Sequence, residues 1–294
     1  MTEIQSPNEL FSLTGRCALV TGASSGIGKR MALVLASVGA RVAITARRAD
    51  ALAEIEKESE GLAGSIHAFP CDLTNESART QLINDVQSSL GPIDVLVNNA
   101  GAVNAVAIEN ESLEMFQHMV ELNLVAPWHL AKLVGEQMVE RRSGSIINIA
   151  SILGVVGATP AKDSGYSAAK GGLVNLTREL ALQWARKGVR VNAICPGWFA
   201  TEMIDDLLST ENGQNFITTN TPMARVGEVQ ELDGALLLLA CDTGSFITGA
   251  IVMVDGGWTA RYSETRKVSC FYAYQNVINF NFRLSYVAYT FRCN

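Results

Sequence analysis

Seven short, apolar, β-branched runs recur along the chain with longer amphipathic stretches between them, and this alternation limits the fold more than any other feature. The runs cover 17–21, 41–45, 66–69, 95–98, 145–149, 190–194 and 250–254. Each is too short for a typical helix, and most are apolar on consecutive positions, as strands covered on both faces must be. Helices are predicted over 26–38, 50–58, 76–90, 112–141, 166–186 and 229–240. Strand–helix alternation implies a parallel sheet with right-handed crossovers, an α/β doubly wound fold with helices on both faces. No repeat or Gly/Ser-rich linker divides the 294 residues, so a single domain is expected.

Bulk properties narrow the class. Charged residues are only 18% and hydrophobic ones 48%, the balance of a compact globular enzyme. A net charge of −6 without a basic run gives little support to nucleic-acid binding. The six cysteines lie far apart, with no C-x-x-C pair and no histidine at ligand spacing, and read as reduced, mostly buried thiols. No metal site is expected. No stretch of about 18 uncharged apolar residues suggests a membrane span, and residues 1–10 carry no signal pattern, so the expected location is cytoplasmic.

Directly after the first run comes Thr21-Gly22-Ala23-Ser24-Ser25-Gly26-Ile27-Gly28, opening a helix. Glycines let the main chain approach a pyrophosphate without Cβ atoms in the way, and a helix N-terminus favours the anion. This places Gly22, Ser24, Ser25, Gly26, Ile27 and Gly28 at a dinucleotide. A carboxylate after the second strand would accept bonds from the adenosine ribose and repel a 2′-phosphate. The chain has Arg47 and Arg48 there instead. They can fork hydrogen bonds to a phosphate or simply solvate a turn; their position favours NADP(H), with NAD(H) possible. Asp50 reads as a helix cap. Asp72, beside Leu73, is either an adenine contact or a cap, and Asn98-Asn99-Ala100-Gly101 forms a turn at the same sheet edge.

Tyr166 and Lys170 are four apart near a helix start and share a face. A nearby ammonium is expected to favour the phenolate and lower the tyrosine pKa. In reduction the phenol gives its proton to the developing alkoxide, and in oxidation it takes one. Ser151, at the end of the fifth run, can hydrogen-bond the carbonyl oxygen. Each feature alone has a bland reading as helix surface or turn residue; together, downstream of a dinucleotide loop, they form an acid–base group.

With these residues in hand, the chain resembles the short-chain dehydrogenase/reductase family. It carries T-G-x-x-x-G-x-G as Thr21 to Gly28, N-N-A-G as Asn98 to Gly101, the serine as Ser151 and Y-x-x-x-K as Tyr166 to Lys170. It also matches Asn123 in Glu121-Leu122-Asn123-Leu124, Pro196-Gly197, and the ending at Val254-Asp255-Gly256-Gly257. The resemblance spans residues 12–258. It implies a Rossmann-type single domain, hydride transfer at nicotinamide C4, and a proton relay in which Asn123 holds a water near Lys170. It implies that Lys170 also contacts the nicotinamide ribose, and that Leu73, Asn99, Ala100, Gly101, Pro196 and Gly197 line the cofactor site. A homotetramer or homodimer built on the helices carrying Asn123 and Tyr166 is a further expectation.

The segment between Pro196 and Pro222 is expected to cover the substrate. It offers Trp198, Phe199, Met203, Ile204, Leu207 and Leu208 at helical spacing, with no arginine or lysine. Trp198, Phe199 and Met203, with Ser151 and Leu153, are the candidate substrate contacts; Leu207 and Leu208 read equally well as core. The expected substrate is a small-molecule ketone or β-keto compound with apolar bulk, reduced to a secondary alcohol. The alternatives are an NAD-dependent alcohol or sugar dehydrogenase and a non-catalytic NADP-binding sensor. His67, His118 and His129 are scattered and read as packed or solvated. The aromatic-rich tail, 259–294, departs from the family ending and is expected to be poorly ordered; within it, 279–286 alternates like an amphipathic strand.

Overall fold

A computed structural model describes residues 6–157 and 162–260; the expectations for the tail fall outside them. Seven parallel strands form one sheet in the order β3-β2-β1-β4-β5-β6-β7. They are β1 Cys17–Thr21, β2 Arg41–Thr45, β3 Ser65–Ala68, β4 Val95–Asn98, β5 Gly144–Ile149, β6 Val189–Pro196 and β7 Ile251–Val254. The helices are α1 Pro7–Leu10, α2 Gly26–Ser37, α3 Ala49–Glu58, α4 Glu76–Leu90, α5 Leu113–Val120, α6 Ala126–Arg141, α7 Ser164–Trp184, α8 Asp205–Leu208, α9 Glu211–Asn220 and α10 Asp233–Ala240. The fold is the Rossmann-type doubly wound sheet.

Period-two alternation of strand side chains fills two cores from one strand. On β1, Ala18 and Val20 pack with Met31, Leu35, Leu236 and Leu239 from α2 and α10. Cys17 and Leu19 face the other way, onto Leu82, Val86, Leu130 and Val134 from α4 and α6. That is why the whole of β1 is buried. The winding reverses between β1 and β4, where an open α/β sheet leaves a crevice at its strand ends.

Three expectations need correcting. The helix predicted over 112–141 is interrupted by a π-helical turn, Glu121–Val125, where the Ala126 amide bonds back to the Glu121 carbonyl. Pro127 has no N–H to offer the i→i−4 ladder beside it, and such turns often sit at functional sites. The helix predicted over 229–240 begins as a 3₁₀ turn, Val229–Leu232, before α10. The segment after β6 is not one apolar helical face: a 3₁₀ turn over Glu202–Ile204 and the short helices α8 and α9 divide it. Leu207 and Leu208 are partly buried there and join neither the core clusters nor the site. Among the described residues no helix is long and apolar enough to cross a membrane.

Candidate active site

The carboxyl ends of β1 to β4 open on one groove of about 570 Å³. Its floor is the glycine loop. Gly22 and Gly26 have φ of +66° and +54°, conformations that side chains rarely adopt. A Cβ on Gly28 would lie 2.3 Å from the Gly22 carbonyl oxygen and 2.4 Å from Asn99 Nδ2, so only glycine fits. Ser25 stands at the N-cap of α2 without a side-chain cap bond, and the helix start faces the groove. A cradle of bare backbone at a helix N-terminus fits a dinucleotide pyrophosphate.

Thr21, the first residue of the motif, holds this cradle to β4. Its Oγ1 accepts from the Asn99 and Ala100 amides, both at 3.0 Å. Asn99 Nδ2 donates back to the Thr21 and Gly22 carbonyls at 2.8 and 3.1 Å. Deeper down, Asn98 Nδ2 donates to Asn148 Oδ1, and Asn148 Nδ2 to Thr177 Oγ1, both at 2.9 Å, tying β4 and β5 to α7. Nothing in the sequence told how these asparagines pair.

Arg47 and Arg48 line the groove at the end of β2, with Asp72 and Leu73 beyond them. Arg48 Nη2 donates to Ser24 Oγ at 3.0 Å, to Ser25 Oγ at 2.9 Å and to Glu202 Oε2 at 3.2 Å. Asp50 is not the cap of α3: Arg48 takes that position without a side-chain bond, and Asp50 lies inside the first turn. Nor does Asp72 cap α4, since Asn75 does so through Ala78 N. Asp72 closes a turn instead, accepting from Thr74 N and Oγ1 at 3.0 and 2.8 Å. These bonds hold its carboxyl below the usual range.

A smaller cavity of about 90 Å³ adjoins the groove and shares Ile27, Asn99, Gly101, Thr201 and Met203 with it. Ser151, Tyr166, Lys170, Pro196, Gly197 and Phe199 line it. α7 delivers the tyrosine and lysine because Asp163 caps it: Oδ1 accepts from Tyr166 N at 3.0 Å, and Oδ2 from Asn104 N at 2.8 Å. Sequence reading missed Asp163, although an aspartate three residues before a helical tyrosine is a recognisable N-cap signal.

Asn123 is fully buried in the π turn behind this cavity. Its Nδ2 donates to the Ala102 and Met119 carbonyls at 3.1 and 3.0 Å. Its Oδ1 has no hydrogen-bond partner. A Cβ on Gly101 would lie 2.6 Å from that oxygen and 3.5 Å from Lys170 Nζ, so glycine keeps open the space beside both.

Burial sets the electrostatics. It pushes the Tyr166 phenol up to about 12, opposed by a hydrogen bond from Ser151 and reinforced by the charge of Asp163. It brings the Lys170 ammonium down to about 8. The expected lowering of the tyrosine by its lysine is therefore not found among the protein groups. Lys170 Nζ lies over the ring, 5.5 Å from its centroid, and donates to the Ile149 carbonyl at 2.7 Å. Desolvation of the phenolate outweighs a cation held in that position.

Two substrate candidates lie elsewhere. Trp198 stacks edge-on with Phe216 and Trp258, at centroid distances of 6.1 and 5.6 Å, and lines a separate cavity beside β7. Leu153 sits in the turn after Ser151, donating its amide to Ser151 Oγ, and does not line the Tyr166 cavity. Phe199 and Met203 do line it.

A family model described as enoyl-(acyl carrier protein) reductase matches residues 22–259. The chain belongs to the short-chain dehydrogenase/reductase family. It is 38% identical over 256 residues to gluconate 5-dehydrogenase of Gluconobacter oxydans, covering 85% of this chain and 97% of that one. It is 33% identical over 245 residues to a 3-oxoacyl-[acyl-carrier-protein] reductase of Thermotoga maritima, covering 83% and 98%. The crystal structure of a putative NAD(P)-dependent gluconate 5-dehydrogenase from Beutenbergia cavernae, with bound NADP, superposes with a TM-score of 0.81. That protein is 36% identical, over 86% of this chain and all of its own. These relatives are named as dehydrogenases and a reductase, and one of them carries bound NADP.

Proposed function

We propose that this protein is an NADP(H)-dependent oxidoreductase that interconverts a carbonyl compound and its secondary alcohol, with residues 12–258 as the catalytic domain. One observation carries the reading: Tyr166, Lys170 and Ser151 line a cavity that shares its rim with a glycine cradle. When bound, the cofactor supplies or accepts the hydride. The cradle from Gly22 to Gly28 would hold the pyrophosphate. Arg47 and Arg48 would hold the 2′-phosphate, with Asp72 and Leu73 at the adenine. Asn99, Ala100, Gly101, Pro196, Gly197 and Lys170 would border the nicotinamide end.

Tyr166, with a pKa near 12, stays protonated through neutral pH and is poised to donate to a carbonyl oxygen. Ser151 Oγ hydrogen-bonds the same oxygen and stabilises its growing charge. Lys170 holds a positive charge beside the phenol and stabilises the phenolate left after proton transfer. Asn123 Oδ1, buried and unpaired, would accept from a relay water that returns a proton to the pair.

Ile27, Ile149, Phe199, Met203 and Ile204 make most of the cavity wall apolar, which supports a ketone or β-keto compound with apolar bulk as the substrate. Trp128, Leu182 and Leu113, exposed on α6, α7 and α5, support a homo-oligomer built on these helices.

A ketone panel followed by NADPH absorbance tests the reading. Tyr166→Phe should keep NADPH affinity and lose about 10²-fold or more in turnover. Near-normal rates in that variant would remove the mechanism, and tight NADPH binding without turnover of any ketone would point to a non-catalytic binder.

A further inference from the structure

α4 carries one charged side chain into the interior. Arg79 is 3% exposed, on a helix whose other buried residues are Leu82, Ile83, Val86 and Leu90. A guanidinium in such a place is tolerated only where its donors are satisfied. Arg79 Nε donates to His129 Nδ1 at 3.1 Å. Nη1 donates to the Leu73 carbonyl at 2.5 Å and to Glu121 Oε1 at 2.7 Å. The three acceptors come from three different places. Leu73 lines the groove at the end of β3. Glu121 opens the π turn whose next residues are Leu122, a groove-lining side chain, and Asn123. His129 lies on α6, stacked on Trp128 at 6.2 Å between centroids.

We propose that Arg79 is a positioning residue for the hydride-transfer site: it fixes the Leu73 carbonyl at the adenosine end of the groove to the π-helical turn that carries Asn123. This inference rests on the NADP(H) reading above. One rigid, forked side chain then sets the adenosine end and the proton relay together. Lysine could not replace it, because an ammonium lacks the planar fork that reaches both acceptors and the histidine. A small displacement of the turn would move Asn123 Oδ1 relative to Lys170, and misplacement near 1 Å in a catalytic array is costly.

The bond to His129 also makes the strut sensitive to acid. Nδ1 can accept only while unprotonated; a second proton would set two donors against each other. Burial and the charge of Arg79 hold the imidazole below its ordinary 6.5, with Lys132 adding to them and Glu76 and Glu121 opposing. The strut therefore holds at neutral pH and weakens as pH falls below that range.

The test compares wild type with Arg79→Met, Glu121→Leu and His129→Gln, reading NADPH Kd, kcat and amide exchange in the ligand-free protein. Arg79→Met should weaken NADPH about fivefold, lower kcat about tenfold and speed exchange across 121–125. Glu121→Leu frees only the π turn, so kcat should fall several-fold while Kd stays within about twofold. The glutamine keeps an acceptor oxygen and does not titrate, so His129→Gln should remove an acid-side loss of kcat that wild type shows. Arg79→Met with wild-type Kd, kcat and exchange would overturn the proposal, as would equal effects of Glu121→Leu on Kd and kcat. If Arg79→Met does not fold, the Glu121→Leu split decides. If wild type does not bind NADPH, the functional reading fails, while exchange across 121–125 in the ligand-free proteins still decides the strut.

Discussion

Lys170 sits in the fold against its own preference for water, so removing its charge should stabilise the protein. Burial brings its pKa from 10.5 to about 8. At pH 7 the amine is charged in both folded and unfolded chains, and the difference corresponds to about 3 kcal/mol of stability withheld. The folded value lies below the unfolded one, so the penalty is complete below pH 8. It fades as pH rises toward 10.5, where the unfolded lysine also loses its proton. Lys170→Met keeps most of the volume and removes the charge. It also loses the bond from Nζ to the Ile149 carbonyl, worth about 1.5–3 kcal/mol. The net gain at neutral pH is then at most about 1.5 kcal/mol, a rise in Tm of a few degrees for a chain of this size. Thermal melts at about pH 7 and about pH 10 check it: the variant should melt higher at the first, and the margin should shrink at the second. A variant that melts below wild type at pH 7, or a margin that widens with pH, would refute the reasoning. Loss of turnover in the more stable variant would identify the lysine as held for function rather than for the fold.

Three further outcomes follow from the groove. Gly28→Ala cannot enter without displacing the Gly22 carbonyl or Asn99, an overpacking of about 1–3 kcal/mol; NADPH titration should show about tenfold or greater weakening, and an unchanged Kd would contradict the cradle. Thr21→Val leaves the Asn99 and Ala100 amides without their acceptor, at about 2–4 kcal/mol; a melt should fall by several degrees, and wild-type stability would show the pin to be dispensable. Arg48→Asp should shift kcat/KM from NADPH toward NADH by about tenfold or more, and an unaltered ratio would leave the 2′-phosphate to Arg47 or to neither.

Much of this was readable from local pattern. Strands β1, β2 and β4 fall at the predicted positions, and the others differ by only one or two residues, because continuous apolar runs bounded by turns leave little freedom in a parallel sheet. Gly22, Gly26 and Gly28, and Tyr166 with Lys170, stand out as candidates by short fixed spacings, and Ser151 by its place at the end of a strand. The misses share a cause. Trp198 was assigned to the pocket from its position after Pro196, but two distant aromatic rings, Phe216 and Trp258, draw it away. The π turn and Arg79 were invisible for the same reason: a helix of ordinary periodicity hides an inserted residue, and a lone arginine on an amphipathic helix looks like surface.

The sequence by itself determined the order of strands and helices, the glycine loop and the tyrosine–lysine spacing, since all are settled within a few residues of chain. Only the tertiary structure decided how far the tyrosine and lysine depart from their ordinary pKa values. Burial by β5, β6 and α7 leaves the phenol near 12 and the amine near 8, where spacing alone suggested a lowered phenol. Desolvation depends on everything packed around a group, and no linear pattern records that surrounding.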